Sequence, residues 1–266
     1  MTGTYTHGHH ESVLRSHRWR TAENSAGYLL PHLHPDQRLP DVGAGPGTIT
    51  LDLAARVARV TATEIGEPEL DLSRSLARER GVVTVDFTVQ DVHALGLPDG
   101  AYDVTHAHQV LQHVSDPVLA LREMARVTRP GGLVAARDSD YAAFTWWPLL
   151  PELDEWLALY RAAARANGGE PDAGRRLLSW AHAAGLRHVT ATSSTWTFAT
   201  AEDRAWWAGM WADRVTGSAL ARQLVADGRA STSDLARIAD GWRRWAADDD
   251  AWFSVLHGEV LCRVPG

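Results

Sequence analysis

Cysteine is nearly missing from this 266-residue chain: the single example, Cys262, excludes an intramolecular disulfide. It lies in an apolar terminal run, where burial rather than reactivity is expected. No apolar run approaches the roughly 18 residues that cross a bilayer, and the polar N-terminal stretch does not read as a signal peptide. A cytoplasmic protein with no membrane partner is the expectation. Excess positive charge is lacking too. At a net charge of −7, a nucleic-acid partner would need a local basic patch. The pairs Arg175-Arg176 and Arg243-Arg244 fit solvated helix faces better, so no nucleic-acid partner is expected. The "HGHH" run at residues 7–10 has no cysteine or carboxylate cluster at ligand spacing, which argues for a polar tail and against a metal site. One residue type is in surplus. There are 12 tryptophans, and all but Trp19 lie beyond residue 140, so the two halves of the chain answer to different constraints.

The length suits one large domain, as a monomer or homodimer. Residues 9–33 show roughly helical spacing and stop near Pro31. Strand and helix signals then alternate. "RLPDV", "RVTATE", "VTVDFTVQ", "AYDVTHAH" and "GGLVAARD" read as five strands, with helices over 47–58, 67–80 and "PVLALREMARVT". This rhythm predicts an α/β fold with a mostly parallel, doubly wound sheet, whose ligands bind outside the carboxyl ends of the strands. Beyond Asp140 the rhythm breaks. "HVTATSSTWTFAT" and "AWFSVLHGEVLCRV" bring the expected sheet to seven strands, and helical stretches at 141–171 and 201–249 read as cap insertions. The expected organisation is a helical lid over 1–35, a core over 36–140 continued by 172–200 and 250–266, and the two caps.

"DVGAGPGTIT" places Gly43, Gly45 and Gly47 where a strand becomes a helix, a device that lets a ligand lie on bare backbone. A dinucleotide fold wants G-x-G-x-x-G, but Thr48 stands where that motif would place its third glycine; a Walker loop needs a lysine that is absent. A cofactor without phosphates is the better match. An NAD-dependent oxidoreductase and a non-catalytic binding module are the alternatives.

Over residues 38–138 the chain resembles class I S-adenosylmethionine-dependent methyltransferases, most nearly the small-molecule enzymes of ubiquinone/menaquinone-biosynthesis type. The block "PDGAYDVTHAHQVLQHVSDPVLALREMARVTRPGG" carries much of the likeness. The resemblance implies a Rossmann-like core, S-adenosyl-L-methionine as cofactor and Gly43, Ala44, Gly45 and Gly47 under its methionyl part. Asp41 would face the cationic amine or sulfonium region. Glu64, with Ile65 beside it, would take the ribose diol, as acidic strand ends do in dinucleotide folds. Asp91 would accept from the adenine amino group, with Val92 against the ring.

The acceptor side is read from the residues. His106 and His108 share a face of the fourth strand. His108 and Gln109 would stand at that strand's end beside the methionyl moiety, with His113 one helical turn beyond. "HAHQ" departs from the Asn/Asp-Pro-Pro-aromatic run of base-amino methyltransferases, which lowers the prospect of a DNA or RNA acceptor. Imidazole can remove an acceptor proton, so His113 and then His108 are the candidate catalytic bases, and His113 would also touch substrate. In similar enzymes the segment before the first strand folds over the cofactor. Tyr5, Arg15, His17, Trp19, Arg20 and Asn24 are its candidates, with Arg20 as the partner of the cofactor carboxylate. Tyr141, Trp146 and Trp147 follow the fifth strand and read as a substrate-pocket edge. The expected acceptor is a small natural product or secondary metabolite with a flat or hydrophobic body.

Overall fold

The computed structural model describes residues 16–266. Tyr5, Arg15 and the "HGHH" run lie outside the described residues. The strands are β1 (Arg38–Val42), β2 (Arg59–Glu64), β3 (Val85–Val89), β4 (Tyr102–His108), β5 (Thr128–Ser139), β6 (Thr145–Trp147), β7 (His188–Phe198) and β8 (Trp252–Arg263). Short α1 (Ala22–Ser25) precedes them; α2 (Thr48–Ala54), α3 (Glu67–Glu79) and α4 (Pro117–Val127) link the early strands. The later helices are α5 (Pro151–Ala166), α6 (Leu177–Ala183), α7 (Ala201–Gly217), α8 (Ala219–Ala226) and α9 (Thr232–Ala247).

One sheet runs in the order β3-β2-β1-β4-β5-β8, parallel up to β5. β8 then pairs antiparallel with β5 on one side and β7 on the other. Seven strands were expected and eight are present among the described residues. The extra one, β6, pairs with residues 252–254 of β8, while β5 pairs with 257–263, so β6 prolongs the line of β5 past the turn at Tyr141–Ala143. The strand order reverses at β1, between β2 and β4. A crevice therefore opens at the carboxyl ends of β1 and β4.

Local chemistry sets the later elements. Asp116 caps α4 by accepting from the Leu119 amide, and Pro117 opens the helix without wasting an amide. Thr200 with Asp203, and Ser231 with Asp234, form capping boxes that start α7 and α9. The inner faces of α5, α7 and α9 are aromatic. Trp156 meets Trp211 at 4.5 Å and Trp242 at 4.9 Å between ring centroids, in edge-to-face arrangements. Phe198 of β7 stacks on Trp207 at 4.3 Å, and Phe253 of β8 packs near Trp156, which joins this aromatic core to the sheet.

Candidate cofactor and acceptor site

The turn after β1 has positive φ at Gly43 (69°), Gly45 (56°) and Gly47 (86°), where side chains are strained. The glycines differ in purpose. A Cβ on Gly43 would collide with Val110, and one on Gly47 would lie 2.7 Å from Ser73 Oγ, so both serve packing. At Gly45 a Cβ would meet nothing nearer than His17 Nδ1 at 3.8 Å. That glycine faces open space, in a cavity of about 460 Å³.

Glu64, at the end of β2, accepts from the Gly45 amide at 2.7 Å and the Ile65 amide at 3.2 Å. Burial raises its pKa, and the two amides oppose the rise. Asp91 accepts from the His93 amide at 2.9 Å and lies 2.8 Å from the His93 ring. The His93 amide is the main cause holding its carboxyl below the usual range. Ala44, Ile65, Val92 and Gln109 also line the cavity; Gly47 does not.

Asp41 has protein partners that its position in the sequence does not show. It touches the cavity wall but is buried, accepting from the Thr50 hydroxyl at 2.6 Å and lying 2.7 Å from His106 Nδ1. β1 and β4 are in register at Asp41 and His106, so the carboxylate is drawn into the sheet and already partnered before any cofactor cation arrives.

His108 lies at the cavity with 6% of its surface exposed, and neither ring nitrogen has a partner among the described residues. Burial, then the Arg137 and Arg20 cations, hold its pKa well below the ordinary value. His113 also lines the cavity, and burial followed by Arg20 pushes its pKa down to about 3. A ring so weakly basic is a poor proton acceptor at neutral pH. The candidate bases His113 and His108 therefore both stand in surroundings that favour the neutral ring, which suits hydrogen bonding better than proton removal.

The other half of the cavity is aromatic. Trp19, Trp196, Trp206, Trp207 and Trp211 line it with Tyr141, Phe144 and Met210. Arg214 joins them, buried, donating to Ser16 Oγ at 3.0 Å and lying 4.6 Å over the Trp211 ring. Residues 16–24 close over this half. The Thr48 hydroxyl donates to the His17 carbonyl at 3.1 Å, Trp196 Nε1 donates to the Asn24 carbonyl at 2.6 Å, and Trp19 packs edge-on against Trp196 at 5.2 Å. Arg20 donates to Gln109 Oε1 at 2.7 Å and lies 5.6 Å over Trp196.

Trp146 and Trp147, expected at the pocket edge, do not reach the cavity. Trp146 stacks on Phe253 at 5.5 Å, and Trp147 turns outward with 58% exposed. The short β6 alternates its two indoles between core and solvent and leaves Tyr141, just before it, on the wall. The i, i+4 spacing of Trp207 and Trp211 on α7 reads first as core packing between cap and sheet and second as a pocket lining; both rings line the cavity. Arg137, Trp196, Arg214 and His257 were not singled out at all.

Residues 40–136 match the family model described as a methyltransferase domain. An uncharacterized methyltransferase of Schizosaccharomyces pombe is 32% identical over 269 residues, covering 97% of this chain and 95% of that protein. This chain belongs to the methyltransferase family. A ubiquinone biosynthesis O-methyltransferase of Aeromonas salmonicida is 37% identical over 99 residues, 37% of this chain and 41% of that one. A geranyl diphosphate methyltransferase solved in complex with S-adenosylmethionine shares the fold, with TM-score 0.55, 18% identity and coverage of 95% of this chain and 88% of that one. The protein is a methyltransferase, with S-adenosylmethionine as its cofactor. The glycine loop fits that group: Gly45 leaves a cradle where any side chain would intrude. The methyltransferase has no described helix long and apolar enough to cross a membrane.

Proposed function

We propose that this methyltransferase transfers the methyl group to a small organic acceptor, a natural product or secondary metabolite with a flat or hydrophobic body, in the cytoplasm. The observation that carries the reading is the continuity of one cavity, polar at the strand ends and indole-lined beneath residues 16–24. Concave, mostly apolar sites with few polar groups suit small ligands, and indole faces suit planar ones.

When bound, the cofactor supplies an activated sulfonium methyl group. The chain's own work is placement. Glu64 takes the ribose hydroxyls, Asp91 the adenine amino group, Ile65 and Val92 flank the ring, and the Gly43–Gly45 backbone lies under the methionyl part. Arg20 pairs with the carboxylate. Trp206 and Trp207 hold the acceptor and exclude water, which favours in-line displacement through orientation and desolvation. His108 offers one donor and one acceptor as a neutral ring to the acceptor's polar group. Tyr141 and His113 complete the acceptor wall.

The test is release of S-adenosylhomocysteine with a panel of acceptors matched for nucleophile but differing in shape. Turnover with planar, hydrophobic members supports the reading. Turnover confined to compact polar members overturns it.

A further inference from the structure

Gln109 is the one non-glycine residue at positive φ (54°) among the described residues. Such a backbone persists where its surroundings over-determine it. Here three contacts do so. The Gln109 amide donates to the Arg137 carbonyl at 2.7 Å, which fixes the main chain just past β4. Side-chain Nε2 lies 2.9 Å from His257 Nε2, and Oε1 accepts from Arg20 at 2.7 Å.

The chemistry of the ends fixes the direction of this chain. His257 Nδ1 lies 3.1 Å from the Val255 carbonyl, which can only accept, so Nδ1 carries the hydrogen. Nε2 of the neutral ring must then accept, and Gln109 presents its amide nitrogen there. The opposite atom, Oε1, is thereby turned to Arg20, whose guanidinium can only donate. His257 itself is fully buried on β8 and does not line the cavity.

We propose that His257 is a positioning residue for the cofactor: through Gln109 it sets the place of the Arg20 guanidinium, which binds the cofactor carboxylate. The proposal rests on the carboxylate role given to Arg20 above. It ties β8, at the far side of the sheet, to the segment that closes the cavity, and it explains why a glutamine is held in a left-handed backbone at this point.

The experiment measures S-adenosylhomocysteine and 5′-methylthioadenosine affinities by calorimetry. The second ligand keeps the nucleoside and lacks the amino-acid part. Arg20→Ala, His257→Phe and Gln109→Gly should each weaken S-adenosylhomocysteine by about 10- to 100-fold, the range for a lost hydrogen bond to a charged group. Methylthioadenosine affinity should stay near that of the wild type. His257→Gln, which can return an acceptor to the place of Nε2, should recover most of the loss. Gln109→Gly keeps the left-handed backbone comfortable, so it reports on the link even if His257→Phe folds poorly. Loss in Arg20→Ala with no loss in His257→Phe and Gln109→Gly overturns the relay alone. No loss in Arg20→Ala overturns the carboxylate role and the relay with it. Equal loss of both ligands in His257→Phe and Gln109→Gly, or no recovery in His257→Gln, makes His257 merely structural.

Discussion

The floor of the cavity is backbone and short polar side chains at the ends of β1 to β4, whereas its roof is indole rings on α7, β7 and the segment before β1. The floor works by position: Gly45 leaves space, and Glu64 holds two loop amides within hydrogen-bonding distance. The roof works by bulk: Trp196, Trp207 and Trp211 are buried, and behind them Trp156 and Trp242 pack against Trp211. A wrong atom in the floor costs binding. A missing ring in the roof costs stability. Each half can be tested for the property the other should lack.

The largest effect belongs to the floor. Gly45→Val should leave no measurable S-adenosylhomocysteine binding, because a branched side chain enters the cavity and a φ of 56° strains the loop by about 1–3 kcal/mol. Circular dichroism should remain native, since the added atoms meet open space. Native dichroism with normal affinity would remove the loop from the cofactor site. Gly47→Val is the control with the opposite signature, because Ser73 blocks the added atoms and the fold itself should suffer.

Next comes the aromatic core that backs the roof. Trp156→Ala should destabilise the protein by about 3–5 kcal/mol, the range for deleting a buried indole. Trp156 is 1% exposed and does not line the cavity, so the folded fraction should bind S-adenosylhomocysteine nearly as well as the wild type. Denaturant melts and calorimetry check the two readouts. A collapse of affinity with unchanged stability would dissolve the division between floor and roof.

This division also explains what was legible in the sequence. The floor is local: a glycine turn and strand-end carboxylates follow from positions along the chain, so the glycines, Glu64 and Asp91 could be named without coordinates. Asp41 was named for its place at the end of β1, but its pairing with His106 was not, because that depends on the register of β1 with β4, 65 residues apart. The roof is non-local. Helical spacing showed that Trp207 and Trp211 share a face of α7 but not that this face reaches a cavity as well as a core. Trp146 and Trp147 failed for a related reason: the continuation of β5 as β6 is created by pairing with β8, a hundred residues later. His257 and Arg137 carry no motif at all. They matter through what the sheet places beside them.

Asp138, buried near the end of β5, should give a smaller effect that depends on pH. Its Oδ1 accepts from the Gln112 amide at 3.1 Å, and Oδ2 has no partner among the described residues. Burial pushes its pKa from 3.8 up to about 7, against the opposing pull of the Gln112 and Leu111 amides and Arg137. The unfolded chain releases this proton near pH 4 while the folded one keeps it until near 7. Between those values the folded state binds more protons, so stability falls as pH rises, by roughly 2–3 kcal/mol from pH 5 to 8, and levels off above the folded pKa. Asp138→Asn can still accept from Gln112 and has no proton to lose, so this contribution to the slope should vanish. Equal slopes in the two proteins would mean that Asp138 is ionised in the fold.

The smallest effect returns to the floor. Glu64→Gln should weaken S-adenosylhomocysteine by about 1.5–3 kcal/mol, as for lost hydrogen bonds to a charged group. A carboxylate can receive the Gly45 and Ile65 amides and two ribose hydroxyls together, because it only accepts. The amide of glutamine must turn a donor toward one of these donors, so one contact is lost outright. The variant should keep wild-type stability to within about 1 kcal/mol, since one oxygen still receives one loop amide. Burial raises the Glu64 pKa, and hydroxyl donors favour its ionised form, so wild-type affinity should climb with pH across the upper carboxylate range and then flatten. In Glu64→Gln that climb should disappear. If affinity and its pH dependence are both unchanged, the ribose binds elsewhere, and the floor owes its selectivity to the glycine turn alone.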